Sequence, residues 1–193
     1  MASEPGPQKS LDREGGRLTY TATAPADTLL GRLDSIQDLV LFGAAPRKRW
    51  VYLHDDLVTW LGSDAAKVIQ RPDRDPVPPV RIVRRWLGQA LTGSPLIRAN
   101  IDMMKPERFG VWEWRNEIDV RMFGGFLAPG VLLAYSADVF TNLKAVDVSD
   151  EKTKKAISRQ RYDVHRDKVR AFCSDNKLTL AQGSLRELGG VFS

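Results

Sequence analysis

An α+β fold follows from a change of hydrophobic period partway along the 193-residue chain. Apolar residues recur at helical spacing before about residue 92 and again after about residue 149. Between them lie short aromatic and β-branched runs, "FGVWEWR", "DVRMFGGF" and "GVLLAYS", separated by "NEI" and "LAPG". The expected architecture is a small antiparallel sheet, a meander, packed with helices and extended by helical segments at both ends.

The elements follow in order. Residues 1–17 are polar, hold Gly and Pro without periodicity, and are expected to form a flexible tail. Residues 18–46 form an N-terminal helical extension. Within it Leu29, Leu33, Ile36, Leu39 and Val40 keep helical spacing, with Asp27 as cap and Gly43 as stop. The α+β core spans 47–148. "RKRWVYLH" opens it as a strand, and "DDLVTWLGSDAAKVIQ" follows as a helix starting at Asp55 or Asp56, so that His54 serves equally as a helix start. "RPDRDPVPP" holds four prolines in nine residues and must break regular structure. A helix restarts at Val80 with Val83, Leu87 and Leu91 on its apolar face, and "TGSP" closes it. The three strands come next, with "FGGF" marking a bulge or bend. Residues 149–193 hold a long basic helix, from about Ser149 to about Phe172, and a tail after "CSDNK".

Composition sets the broad class. Hydrophobic residues at 42% and charged ones at 27% fit an ordinary globular domain. No apolar run approaches the roughly 20 residues of a membrane helix, and "MASEPGPQKS" lacks the apolar centre of a signal peptide. One cysteine, Cys173, allows no internal disulfide, so a cytoplasmic location without membrane partners is expected. A lone cysteine and two histidines do not suit a structural zinc site, and neither metal nor cofactor is expected. Gly-rich phosphate loops and GxSxG, HExxH or paired CxxC motifs are absent.

The charge is localised. Residues 151–170 hold eight basic and three acidic residues, an excess equal to the +5 of the whole chain. At 100° per residue, Lys152, Lys155, Arg159, Arg166 and Arg170 fall within roughly 60° of one another. Ile157, Tyr162, Val164, Val169 and Phe172 take the opposite, buried side. The stripe is either a solvated face partly paired with Asp163 and Asp167, or a contact for a phosphate backbone. His165 sits at the boundary, where an acid/base role is the alternative to a packing one. Arg47, Lys48 and Arg49 form a second basic cluster, and Arg81, Arg84 and Arg85 a third on the polar side of their helix.

In the first hairpin, a three-residue turn at Asn116–Ile118 sets Arg115 opposite Asp119 and Glu113 opposite Arg121. Trp112, Trp114, Val120 and Met122 then share the core face. The charged face is either two cross-strand ion pairs on a wet sheet surface, or the floor of a basic site in which Arg115 and Arg121 present their forks to phosphate.

A strand, two helices and a meander with an arginine in an "xRxF" strand resemble the RelE/ParE toxin superfamily, most of all its HigB-like or phage-associated branch. The matching stretches are "VWEWR", "DVRMFGGF" and "VLLAYSADVFTNLK", within about residues 49–144. The resemblance implies binding of RNA or ribosome-associated mRNA and metal-independent cleavage with the 2′-hydroxyl as nucleophile. It also implies Arg121 as the phosphate-binding arginine, Arg115 as its support and Lys144 as a second cation. The "KKT" of the family with its nearby proline is missing, since "TNLKAV" supplies one lysine.

Three functions compete. The first is an RNA-interacting toxin of a toxin–antitoxin-like system, acting as an mRNA endoribonuclease through Arg121, Arg115 and Lys144. In it Lys152, Lys155, Arg159, Arg166, Arg170, Arg47, Lys48 and Arg49 bind nucleic acid. The second is a non-enzymatic nucleic-acid-binding or phage-type accessory protein. The third is a protein-binding module whose basic helix docks an acidic partner such as an antitoxin segment.

Overall fold

A six-stranded mixed sheet separates two helical layers. The computed structural model describes residues 36–38, 49–69, 77–94, 101–115 and 120–188. The strands are β1 (Ile36–Asp38), β2 (Trp50–His54), β3 (Ile101–Met103), β4 (Val111–Arg115), β5 (Val120–Ala128) and β6 (Val131–Val139), in the order β1-β2-β6-β5-β4-β3. The helices are α1 (Asp55–Gly62), α2 (Pro79–Thr92), α3 (Phe140–Leu143), α4 (Glu151–Asp175) and α5 (Leu185–Leu188).

The expected meander β4–β5–β6 is present and antiparallel, but β2 runs parallel to β6, so the sheet is mixed. A parallel neighbour needs a long crossover rather than a hairpin. Here everything from α1 to β5 lies between the two partners, a distance that no local pattern encodes. The expected N-terminal helix is also corrected in part: Ile36–Asp38 is a strand paired antiparallel with β2, and the backbone bonds of that edge outweigh the helical spacing. The rest of that segment, like the tail, lies outside the described residues.

On one face, α1 and α2 bury Leu57, Leu61, Val83, Trp86 and Leu87 against Val51, Leu53, Trp112, Trp114, Met122 and Phe126. Each such side chain contributes about 1.5–3 kcal/mol of burial. On the other face, α4 lays Tyr162, Val169 and Phe172 over Tyr52, Phe123, Leu133 and Tyr135.

Local chemistry sets the helix ends. Pro79 starts α2 where no N–H is needed, and Gly93 closes it with φ 77°. The Asp150 carboxylate caps α4 by accepting the Thr153 N–H at 2.7 Å. His54 caps α1, its Nδ1 accepting the Asp56 N–H at 3.1 Å, and its ring stacks on Tyr135 with centroids 4.0 Å apart. Burial holds this imidazole below the usual histidine value, against the pull of Asp56 and Asp55, which suits a ring nitrogen that must accept.

The bulge lies opposite "FGGF" rather than within it: Phe123 pairs with Ser136 and Gly124 with Ala134, which leaves Tyr135 of β6 as the extra residue, so that Tyr135 and Ser136 both face α4. Gly124 is required there, because a Cβ would meet the backbone oxygen of Leu133. Gly124→Ala is therefore expected to destabilise the fold by about 2 kcal/mol or more in urea unfolding. Gly62→Ala, at a helix position with nothing within 4 Å, is expected to stabilise it by about 0.5–1 kcal/mol. Equal midpoints for the two variants would contradict the role of the bulge.

Candidate functional site

The hairpin register differs from the expected one by two residues. Arg115 lies opposite Arg121, Glu113 opposite Phe123 and Trp114 opposite Met122. A shift of two keeps every side chain on its expected face while changing its partner. The tryptophans thus stay in the core, and Glu113, Arg115 and Arg121 stay on the other side.

That other side is not wet, because α4 crosses it. The Arg121 and Glu113 side chains are only 8% and 14% exposed, and Arg121 Nε lies 2.8 Å from Glu113 Oε1. Arg121 Nη1 also donates to the Val120 carbonyl at 3.1 Å, its guanidinium sits 5.1 Å from the Phe140 ring centroid, and it donates to the Tyr162 side chain. Desolvation raises the pKa of Glu113 and outweighs the opposing pull of Arg121 and Arg115. The Tyr162 hydroxyl is likewise pushed up, by burial first and then by the Glu113 charge. Arg115 is more open and reaches across the edge to Asp102 at 3.3 Å.

Beside this pair opens a cleft of about 680 Å³ between the β3–β4 edge and the N-terminal half of α4. Glu113 and Tyr162 line it, together with Lys144, Lys155 and Arg159 from the sequence-derived set. Met103 and Met104 supply apolar lining. The carboxylates of the lining are all engaged: Asp102 with Arg115, Glu113 with Arg121, Glu151 with Lys154 at 3.4 Å, and Asp163 with Arg166 at 2.6 Å. Lys105, Lys144, Lys155 and Arg159 form no ion pair within 4 Å among the described residues, although the Lys144 charge acts on Glu113 from a greater distance. The Lys144 Nζ lies 5.4 Å from the Tyr162 ring centroid. The cleft is therefore lined by ion-paired acids and by cations outside any close ion pair, an arrangement suited to an anion.

The other basic residues separate. Lys152 is exposed on α4 but outside the cleft lining. Arg166 is held by Asp163, Asp167 and the Lys105 carbonyl, and Arg170 lies 3.5 Å from the Phe109 ring centroid, so the C-terminal part of the stripe clasps the β3–β4 connection. Arg49 is buried, and Nη1 donates to the carbonyls of Ala90 and Ser94 at 3.1 and 2.9 Å. It thereby satisfies the C-terminal end of α2, where a cation is favoured, and is not a surface contact for nucleic acid. Arg47 and Lys48 lie outside the described residues.

The helix phase also needs correction. Val164 is half exposed, while His165 turns to the sheet, stacking on Phe123 at 4.4 Å and meeting Ser136 Oγ at 3.0 Å. The packed residues Ser158, Tyr162, His165, Val169 and Phe172 alternate steps of four and three, about one residue away from Ile157 and Val164. Sequence reasoning missed Lys105, in a segment without period, and treated Glu113 as a cross-strand partner that orients a guanidinium group. Its placement between two tryptophans on an alternating strand was the available signal.

Among the described residues no cluster of three or more metal-ligating side chains gathers, and no helix is long and apolar enough to cross a membrane. No family model matches the chain, and no curated protein or solved structure matches it either.

Removing one member of a buried ion pair strands the other, at about 3–5 kcal/mol, whereas replacing both with apolar residues avoids that cost. Arg121→Met is thus expected to lower unfolding stability by that amount, and Arg121→Met with Glu113→Leu by much less. Additive losses in urea unfolding would show that the two side chains do not depend on each other.

Proposed function

We propose that this chain is an RNA-interacting protein that holds a phosphodiester segment in the cleft beside α4. The observation that carries the reading is the charge pattern: four cations stand outside any close ion pair where every carboxylate already has one. Lys105, Lys144, Lys155 and Arg159 supply the phosphate contacts, and Met103, Met104 and Tyr162 an apolar wall for sugar or base. Arg121 acts through Glu113 rather than on phosphate, since its guanidinium is taken up by Glu113, Val120 and Tyr162.

A second reading, the toxin endoribonuclease that the RelE-like resemblance implies, draws support from Glu113. A carboxylate with a raised pKa facing an anion site suits a general base. In this reading Glu113 takes the proton of the 2′-hydroxyl, whose oxygen attacks the adjacent phosphorus. The bond to the 5′-oxygen breaks, leaving a 2′,3′-cyclic phosphate, and Lys144 returns a proton to the departing oxygen.

The combined variant Lys144→Gln, Lys155→Gln, Arg159→Gln is expected to keep its melting temperature. It should weaken binding of a single-stranded RNA oligonucleotide at least tenfold and flatten the slope of log K against log salt by about two units. Unchanged affinity and slope would remove the cleft from the interface. Glu113→Gln separates the two readings: retained binding with lost cleavage and lost growth arrest supports the enzyme, while wild-type protein that binds without cleaving supports the binder.

A further inference from the structure

The third basic cluster lies far from the cleft. Helix α2, "PVRIVRRWLGQALT", carries three arginines and no acidic residue. Its buried side holds Ile82, Val83, Trp86, Leu87 and Ala90. Arg81, Arg84 and Arg85 are exposed at i, i+3 and i+4, so they share one face within about a turn. None of the three guanidinium groups has an ion-pair or hydrogen-bond partner among the described residues. The neighbouring sequence does not offset them either. Residues 63–94 hold six basic and three acidic residues, an excess of three.

Like charges three and four residues apart destabilise a helix. An excess of this kind, on a well-packed helix, is a feature that an anion relieves. We infer that the exposed face of α2 is a second nucleic-acid contact, holding phosphodiester backbone on the side of the sheet opposite α4. This goes beyond the cleft reading and does not rest on it.

Three points select the occupant. The residues are all arginine, whose planar fork donates two parallel hydrogen bonds to a phosphate. An exposed pair with an isolated carboxylate contributes little, whereas each contact to a polyanion also releases a condensed counterion. The apolar residues of α2 are buried, so the helix offers charge without the hydrophobic anchor that a protein interface needs at its centre. Because α2 and α4 cover opposite faces of the sheet, the two basic surfaces engage separate stretches of nucleic acid, or one stretch that passes round an edge.

The test uses the full chain and a fluorescently labelled single-stranded RNA oligonucleotide, titrated over a salt series. The variant Arg81→Gln, Arg84→Gln, Arg85→Gln is compared with wild type, with the triple cleft variant and with all six changes together. The expected result is a slope about two units flatter than wild type, and a further flattening when both sets are combined. Arg81→Lys, Arg84→Lys, Arg85→Lys should keep the slope yet lose affinity, because charge remains and the fork is gone. Melting curves confirm that each variant is folded. Wild-type affinity and slope in the α2 variant would overturn the inference, and would leave the cleft reading intact if the cleft variant is impaired. Polyglutamate serves as the second probe. If it binds wild type but not the α2 variant while RNA binding is unchanged, the face is a site for an acidic protein and the inference fails.

Discussion

The ion pair between Glu113 and Arg121 is the contact on which this architecture turns. Two charged residues project from the face of the sheet that α4 covers, and neither can be stripped of water alone. Their 2.8 Å contact, the Val120 carbonyl, the Phe140 ring and the Tyr162 side chain together replace the lost solvent. With that satisfied, α4 can lie across strands that alternate charge with aromatic rings. Its N-terminal half then stands beside the β3–β4 edge, and the cleft is the space between them. The distribution of cations in the cleft follows from the same geometry. Partners for the acids come from the sheet and from α4 itself, which leaves Lys105, Lys144, Lys155 and Arg159 facing the opening.

The two faces of the sheet differ in kind. The α1–α2 side is built from aliphatic, methionine, phenylalanine and tryptophan side chains, whereas the α4 side interleaves apolar side chains with polar contacts. Both histidines of the chain lie on the α4 side, each stacked on an aromatic ring of the sheet, His54 on Tyr135 and His165 on Phe123. The bulge at Tyr135, opposite Phe123 and Gly124, makes this possible. By placing Tyr135 and Ser136 on the same face, it supplies one partner for each histidine.

Local signals were legible in the sequence, and long-range ones were not. The prolines before α2, the glycine after it, the three strands and the extent of α4 all rest on interactions within a few residues, whereas the bulge expected in "FGGF" falls on the strand opposite it, at Tyr135. The parallel pairing of β2 with β6 rests on a contact between distant segments. The hairpin register moved by two because the connection is longer than three residues, a change to which the alternating pattern is blind. The burial of Arg121 was hidden for another reason. An alternating charged face looks the same whether water or a helix covers it, and the cover comes from some forty residues further on. Arg49 shows the same limit: a cation beside two others resembles a surface cluster until the end of α2 is seen above it. Of the expected site, Lys144, Lys155 and Arg159 converge on one cleft, Arg115 and Arg121 serve its floor and edge through ion pairs, and Arg166 and Arg170 clasp the β3–β4 connection.

The central claim is that cations outside any close ion pair make the cleft an anion site. The most direct measurement is an NMR titration of the folded protein with a short 5′-phosphorylated RNA, following lysine and arginine side-chain resonances. Saturable shifts are expected at Lys105, Lys144, Lys155 and Arg159, with the paired Lys154 and Arg166 moving less. Binding that leaves those four resonances in place would contradict it.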